Sequence, residues 1–186
     1  MKIHTIDVTC TPKPNIIRET YSVEDTSSSG ENCGLFSLRD IVGNDPSAVR
    51  TRYSLPLHGR LSSEELGKVL VEFHQMALMV VEVHYSPFME IDGSGKVLVS
   101  GYGVTTFVPN EMSNASGFVV LLNEHGHFSP VTAERLILPK DIIGIISKLT
   151  GSTYEVMRNT IFTDFHTPNM KLTGRLRTLF GLIDDL

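Results

Sequence analysis

Two cysteines, Cys10 and Cys33, are all the thiols in this chain. So few argue against a disulfide framework and exclude any four-cysteine zinc site. Basic charge is also short. Lys and Arg number 16 against 21 Asp and Glu, a net charge of −5 with a pI near 5.8. Bulk nucleic acid and anionic membranes need a positive surface and are not expected partners. No uninterrupted apolar run approaches the ~20 residues of a membrane-spanning helix. The start, Met1-Lys2-Ile3-His4-Thr5-Ile6-Asp7, is too polar for a signal peptide. A reducing cytoplasm, where a free thiol survives, is the expected compartment. The 186 residues, 41% apolar and 20% charged, read as one domain over 1–186 with a sizeable core.

The lead-in, 1–32, reads as irregular. Ile3 to Cys10 alternates well enough for a short strand that Pro12 and Pro14 break, and Thr26-Ser27-Ser28-Ser29-Gly30 reads as a flexible loop. From Cys33 the apolar residues Leu35, Leu38, Ile41 and Val42 recur at helical spacing, and Gly43-Asn44 gives a stop. Asp45-Pro46 opens another helical turn. Ser62-Ser63-Glu64-Glu65 caps a stronger helix with an apolar stripe of Leu66, Val69, Leu70 and Phe73.

Strands follow. Met76 to Tyr85 is one, ended by Pro87; Asp92-Gly93-Ser94-Gly95 reads as a hairpin turn into Lys96–Ser100. Gly101-Tyr102-Gly103 reads as a flexible rim near a cleft. Phe118–Leu122 is a buried strand, and after the turn Asn123-Glu124-His125-Gly126 the segment His127–Val131 runs back beside it. A turn at Thr132-Ala133-Glu134 leads to Arg135–Leu138. The period then becomes helical over Ile142–Leu149, Tyr154–Phe162 and a C-terminal piece Leu172–Leu186, within a tail 163–186. Helices first, antiparallel strands in the middle and helices last give an α+β class.

The chemistry centres on Ser29-Gly30-Glu31-Asn32-Cys33-Gly34. A thiol at a helix start, behind a polar loop, is how many cysteine hydrolases mount a nucleophile. Such a thiol needs an imidazole within reach and a group to orient that imidazole. His127 follows 94 positions on, at the start of a strand. A hairpin pivoting at Ala133 sets His127 opposite Pro139 and makes Asp141 its diagonal neighbour on the same face. Asp141 is the expected orienting acid, with Glu134 and Asn123 as alternatives. Backbone N–H of Cys33, Asn32, Gly34 and Gly126 are the expected surroundings of an oxyanion. His125 and His127, two apart, would share a strand face and with Cys33 could hold zinc. Nothing else supplies ligand spacing, so neither metal nor other cofactor is expected.

These residues resemble those of a known family. Cys33-Gly34-Leu35-Phe36-Ser37-Leu38 resembles the Cys-Gly-Leu-Ala-Ser-Leu nucleophile segment of phytochelatin synthases. Gly126-His127-Phe128-Ser129-Pro130-Val131 resembles their Gly-His-Phe-Ser-Pro-Ile segment, which holds the catalytic histidine. Ovarian-tumour-type deubiquitinases, viral leader proteases and bacteriocin-processing peptidases share the order of motifs more loosely. The resemblance implies a papain-like fold: a cysteine at a helix start, packed on a central antiparallel sheet. It implies acyl transfer through a Cys33–His127 dyad from a peptide or isopeptide bond to water or an amine. The substrate would be a glutathione-like peptide or a ubiquitin-like tail, and for a viral or effector protease the place of action would be a host cytosol. The sequence departs from the family by having one glutamine, Gln75, far from Cys33, where papain-like enzymes place a glutamine just before the cysteine. It also has Pro139-Lys140-Asp141 where the family's aspartate follows the strand directly. Those departures keep open a non-catalytic papain-like interaction module, with Leu172–Leu186 as its partner-binding helix.

Overall fold

The computed structural model describes residues 1–15, 17–18, 22–86, 97–110 and 117–132. Within them the chain is α+β, with short helices against a mixed sheet. The expected elements beyond Thr132, with Asp141 and Glu134, lie outside the described residues, as does the Asp92–Gly95 turn.

The lead-in is not irregular. Strand β1 (Lys2–Lys13) runs twelve residues and β2 (Ser22–Val23) adds a short one. β1 pairs antiparallel with β4 (Val99–Val108) from Lys2↔Val108 to Thr9↔Gly101, then slips in register before Lys13. Pro12 falls in that slip. A proline is tolerated there because β1 is an edge strand among the described residues and the irregular stretch needs no ladder donor. The expected break is therefore a bulge in a longer strand.

β3 (Met76–Tyr85) pairs antiparallel with β4 on one side and parallel with β5 (Gly117–Glu124) on the other. The expected all-antiparallel sheet is thus mixed, and the register gives the reason. β4 ends and β5 begins at the same end of β3: Phe107 lies opposite Leu78, and Gly117 opposite Met76. β4 runs against β3, so a strand that begins where β4 ends and pairs with the other side of β3 runs in the direction of β3. β5 then turns back into β6 (His127–Thr132), and the order is β1-β4-β3-β5-β6-β2. Gly101-Tyr102-Gly103, expected as a flexible rim, lies inside β4 with Tyr102 fully buried.

Against one face lie α1 (Cys33–Ser37), α2 (Arg39–Val42), α3 (Pro46–Arg52) and α4 (Ser63–Lys68). Their boundaries follow local chemistry. Gly43 ends α2 at φ 109. Asp45 caps α3, its carboxylate accepting from the N–H of Ser47 at 3.0 Å, with Pro46 at the first position. Ser62 and Glu65 form a reciprocal capping box at α4. α4 continues into a π turn, Val69–Phe73. The wider turn rotates the stripe: Leu66, Val69, Leu70 and Val71 are buried, while Phe73 is turned out and stands edge-on to Tyr53 at 5.0 Å. Cys33, Leu35, Leu38, Leu66, Leu70, Leu78, Val80, Phe107, Leu121 and Phe128 belong to one core between these helices and the sheet. No helix among the described residues is long and apolar enough to cross a membrane.

Candidate active site

Everything at this site hangs on the outer edge of β6. A strand edge presents N–H and C=O groups that need partners, and here the segment carrying the cysteine supplies them. β2 pairs with β6 through Val23↔Val131. Glu24 N–H donates to the carbonyl of Pro130 at 3.2 Å. The Thr26 hydroxyl donates to the carbonyl of Phe128; Ser37 Oγ donates to the carbonyl of Cys33 at 2.8 Å and lies 3.3 Å from that of Phe128. Phe128 N–H donates to Cys33 Sγ at 3.4 Å, and Sγ lies 4.0 Å from the carbonyl of Gly126. The cysteine segment thus closes the edge of β6, and the sulfur lies against the backbone on either side of His127. Cys33 is a free thiol, 1% exposed, at the first position of α1.

His127 is positioned by a two-residue turn. Asn123 Oδ1 accepts from Gly126 N–H at 2.9 Å, and the central residues His125 and Gly126 have φ 53 and 78. Two positive φ values in succession fit a right-twisted hairpin, and glycine takes the second without strain. Glu124 then faces His127, and Asn123 faces Phe128. Successive residues point to opposite faces. Phe128 joins the helix-side core, so His127 points the other way, along with Glu124. Asn123 is therefore on the wrong face to orient the imidazole, and its oxygen is spent on the turn.

The ring of His127 is held by Thr26, a residue without a sequence signal. Thr26 is 1% exposed, and its Oγ1 lies 3.1 Å from His127 Nε2. A hydroxyl has one proton, and this one goes to the carbonyl of Phe128. Toward the ring Oγ1 must accept, so Nε2 carries the proton and Nδ1 is the basic nitrogen. Among the described residues Nδ1 has no partner, and no hydrogen bond joins Sγ to the ring. The loop expected to be flexible is the firm part: Ser29 Oγ donates to the carbonyl of Thr26, and a 3₁₀ segment spans Ser27–Asn32.

Two carboxylates lie within electrostatic reach of His127. Asp25 accepts from Ser27, whose side-chain and backbone hydrogen bonds hold its pKa below the usual range. Burial works to raise the pKa of Glu124, but Arg18 and Tyr85 outweigh it and the net shift is down. Arg18 Nε donates to Glu124 at 2.6 Å, Asn15 Nδ2 at 3.1 Å, and the Tyr85 hydroxyl also donates. Tyr85 is pushed up to about 12, by burial first and the Glu124 bond second. His125 stacks on Tyr85 at 4.9 Å. It stands in the turn rather than on the strand, so it shares no strand face with His127. Among the described residues no three His, Cys, Asp or Glu side chains group to hold a metal.

The other expected residues divide. Gly126 has given its N–H to Asn123 and meets the sulfur with its carbonyl, so it is no oxyanion donor. Gly34 is buried, and a Cβ there would stand 2.8 Å from Leu66 Cδ1; its glycine lets α1 settle on α4. Asn32 turns its side-chain oxygen to Arg50, a 2% exposed guanidinium in α3. Thr26, Glu124 and Arg50 are the residues that sequence reasoning missed. Arg50 is one of two arginines in a short capped helix, and only its burial sets it apart from Arg52.

No family model matches the sequence, and no curated protein matches it. Among solved structures the chain is similar to one described as the Hazara virus OTU bound to ubiquitin. The identity is 13% and the TM-score 0.41, over 70% of this chain and 90% of that one.

Proposed function

We propose that this protein carries out thiol-dependent acyl transfer on a peptide or isopeptide bond, with Cys33 as nucleophile and His127 as base. One observation carries the reading: the Cys33 sulfur lies against the backbone flanking His127, whose ring is fixed through Nε2 by Thr26. Nδ1 takes the thiol proton as the sulfur attacks the substrate carbonyl carbon, and returns it to the leaving amine. Thr26 performs the orienting task expected of a carboxylate, by accepting from Nε2–H and keeping Nδ1 free. Water or a second amine then releases the acyl group. Asp141, outside the described residues, remains a proposed further partner of the imidazole.

A screen of covalent probes tests this reading. Ubiquitin and ubiquitin-like vinyl sulfones, a glutathione-derived electrophile and short peptide electrophiles are each incubated with the protein and read by intact mass. One probe class should add once to the wild type and not to Cys33→Ala. Adducts that persist in Cys33→Ala would sink the assignment.

A second reading, a papain-like scaffold that binds without turnover, is favoured by the burial of Cys33 and the lack of a thiol–ring hydrogen bond among the described residues. Ubiquitin bound reversibly by wild type and Cys33→Ala alike, with no adduct from any probe, is the result that reading expects.

A further inference from the structure

We infer that Arg50 is a positioning residue that makes Asn32 a donor to the oxyanion formed at Cys33, an inference that rests on the acyl-transfer reading above. Arg50 is a buried cation whose hydrogen bonds go to neutral oxygens. Nε and Nη2 donate to Asn32 Oδ1 at 3.1 and 3.0 Å, and Nη2 donates to the carbonyls of Gly59 and Glu31 at 2.7 and 3.4 Å. Nη1 donates to the carbonyl of Pro56. No carboxylate pairs with it among the described residues. Glu31 Oε2 instead accepts from Gly59 N–H at 2.7 Å, tying the same two segments together. A buried guanidinium is costly to desolvate, and here it is used to hold the residues just before the nucleophile.

The consequence for Asn32 follows from donor inventory. A guanidinium only donates, so the carboxamide must offer it oxygen, and the orientation of the amide is fixed by its partner. Asparagine is among the preferred N-cap residues because its oxygen accepts from the first helical N–H groups. Asn32 stands at the N-cap of α1 and makes no such bond. Its oxygen is withheld from the helix by Arg50. The opposite end, Nδ2 with two protons, has no acceptor among the described residues, and Asn32 is only half-buried. An uncommitted, oriented N–H donor one residue before the nucleophile fills the role of the glutamine that the sequence lacks. As the C–S bond forms, the carbonyl π pair moves to oxygen. Nδ2–H stabilises that anion until collapse expels the leaving group.

The test compares two reactions of Cys33 on the intact protein. Acylation by p-nitrophenyl acetate passes through an oxyanion and releases p-nitrophenolate; alkylation by iodoacetamide displaces iodide at a saturated carbon and needs no such donor. Asn32→Ala should slow acylation about 10²-fold and leave alkylation within about threefold. Asn32→Asp, which keeps an oxygen for Arg50 but has no N–H, should lose acylation similarly. Arg50→Lys should slow acylation in the wild-type background and have little further effect in Asn32→Ala, because it acts through Asn32. Full acylation in both Asn32 variants, a parallel fall in both reactions, or independent effects of Arg50 and Asn32 would each overturn the inference. A wild type that takes no acetyl group at Cys33 would instead defeat the acyl-transfer reading, and this inference with it.

Discussion

His127 sits between two networks of opposite character. On one side Thr26, Ser29 and Ser37 form a neutral lattice of hydroxyls and carbonyls that closes the edge of β6. On the other, Glu124 gathers Arg18, Asn15 and Tyr85 into an ionic cluster at the hairpin mouth. The carboxylate is the more conspicuous neighbour, yet its oxygens are already committed to three donors. The hydroxyl, with one proton and a fixed destination for it, sets the tautomer. Charge near an imidazole therefore does not identify the group that orients it; the proton inventory does.

The sharpest way to break that contrast is to remove each network in turn. Thr26→Val keeps shape and deletes the acceptor. Turnover should fall roughly 10²-fold, the low end of what a positioned acid–base group contributes, and Thr26→Ser should recover most of it. If Thr26→Val is as active as the wild type, the neutral network does not orient the ring. Glu124→Gln should act the other way round, with turnover changing less than about threefold and stability falling by about 1 kcal/mol. That figure allows for the solvent exposure of Arg18.

Acid sharpens the same distinction. Glu124 has its pKa held below its ordinary 4.5, so the folded state binds its proton less readily than the unfolded chain. Its contribution is complete above about pH 4.5 and is lost as pH falls through the lower folded value. The melting-temperature gap between wild type and Glu124→Gln should narrow over that fall. A gap independent of pH would show that the ion pair is not its source.

The smallest effect lies farther off. Burial, aided by Arg52, lowers the pKa of His74 below 6.5, while its Nε2 lies 2.7 Å from the Tyr53 hydroxyl. The unfolded chain is then protonated first, so stability should decline slightly as pH falls below about 6.5. Differential scanning of His74→Gln should remove that part of the decline.

What was legible in the sequence was local. The Asp45-Pro46 and Ser62–Glu65 starts and the turn before His127 rest on hydrogen bonds a few residues apart, the strands at Met76 and Phe118 on composition within each segment, and all stand. What was not legible depends on register between distant segments. Thr26 meets His127 across 101 positions, and Arg50 meets Asn32 across 18. No spacing rule links such pairs. Pro12 misled because a proline reads as a stop until the strand is known to be an edge. Gly101 and Gly103 misled because a glycine pair looks like a loop until two neighbouring strands are laid against it: Gly103 lies between Asp7 and Glu82, and a Cβ there would come within 2.9 Å of Asp7 Oδ1.

The claim that Cys33 is a nucleophile served by His127 is tested most directly by the p-nitrophenolate burst on mixing with p-nitrophenyl acetate, followed by peptide mapping of the acetylated protein. The account predicts one acetyl group per chain, on Cys33, and a burst rate at least about 10²-fold slower in His127→Ala. An equal burst in both proteins, or an acetyl group carried elsewhere, would contradict it.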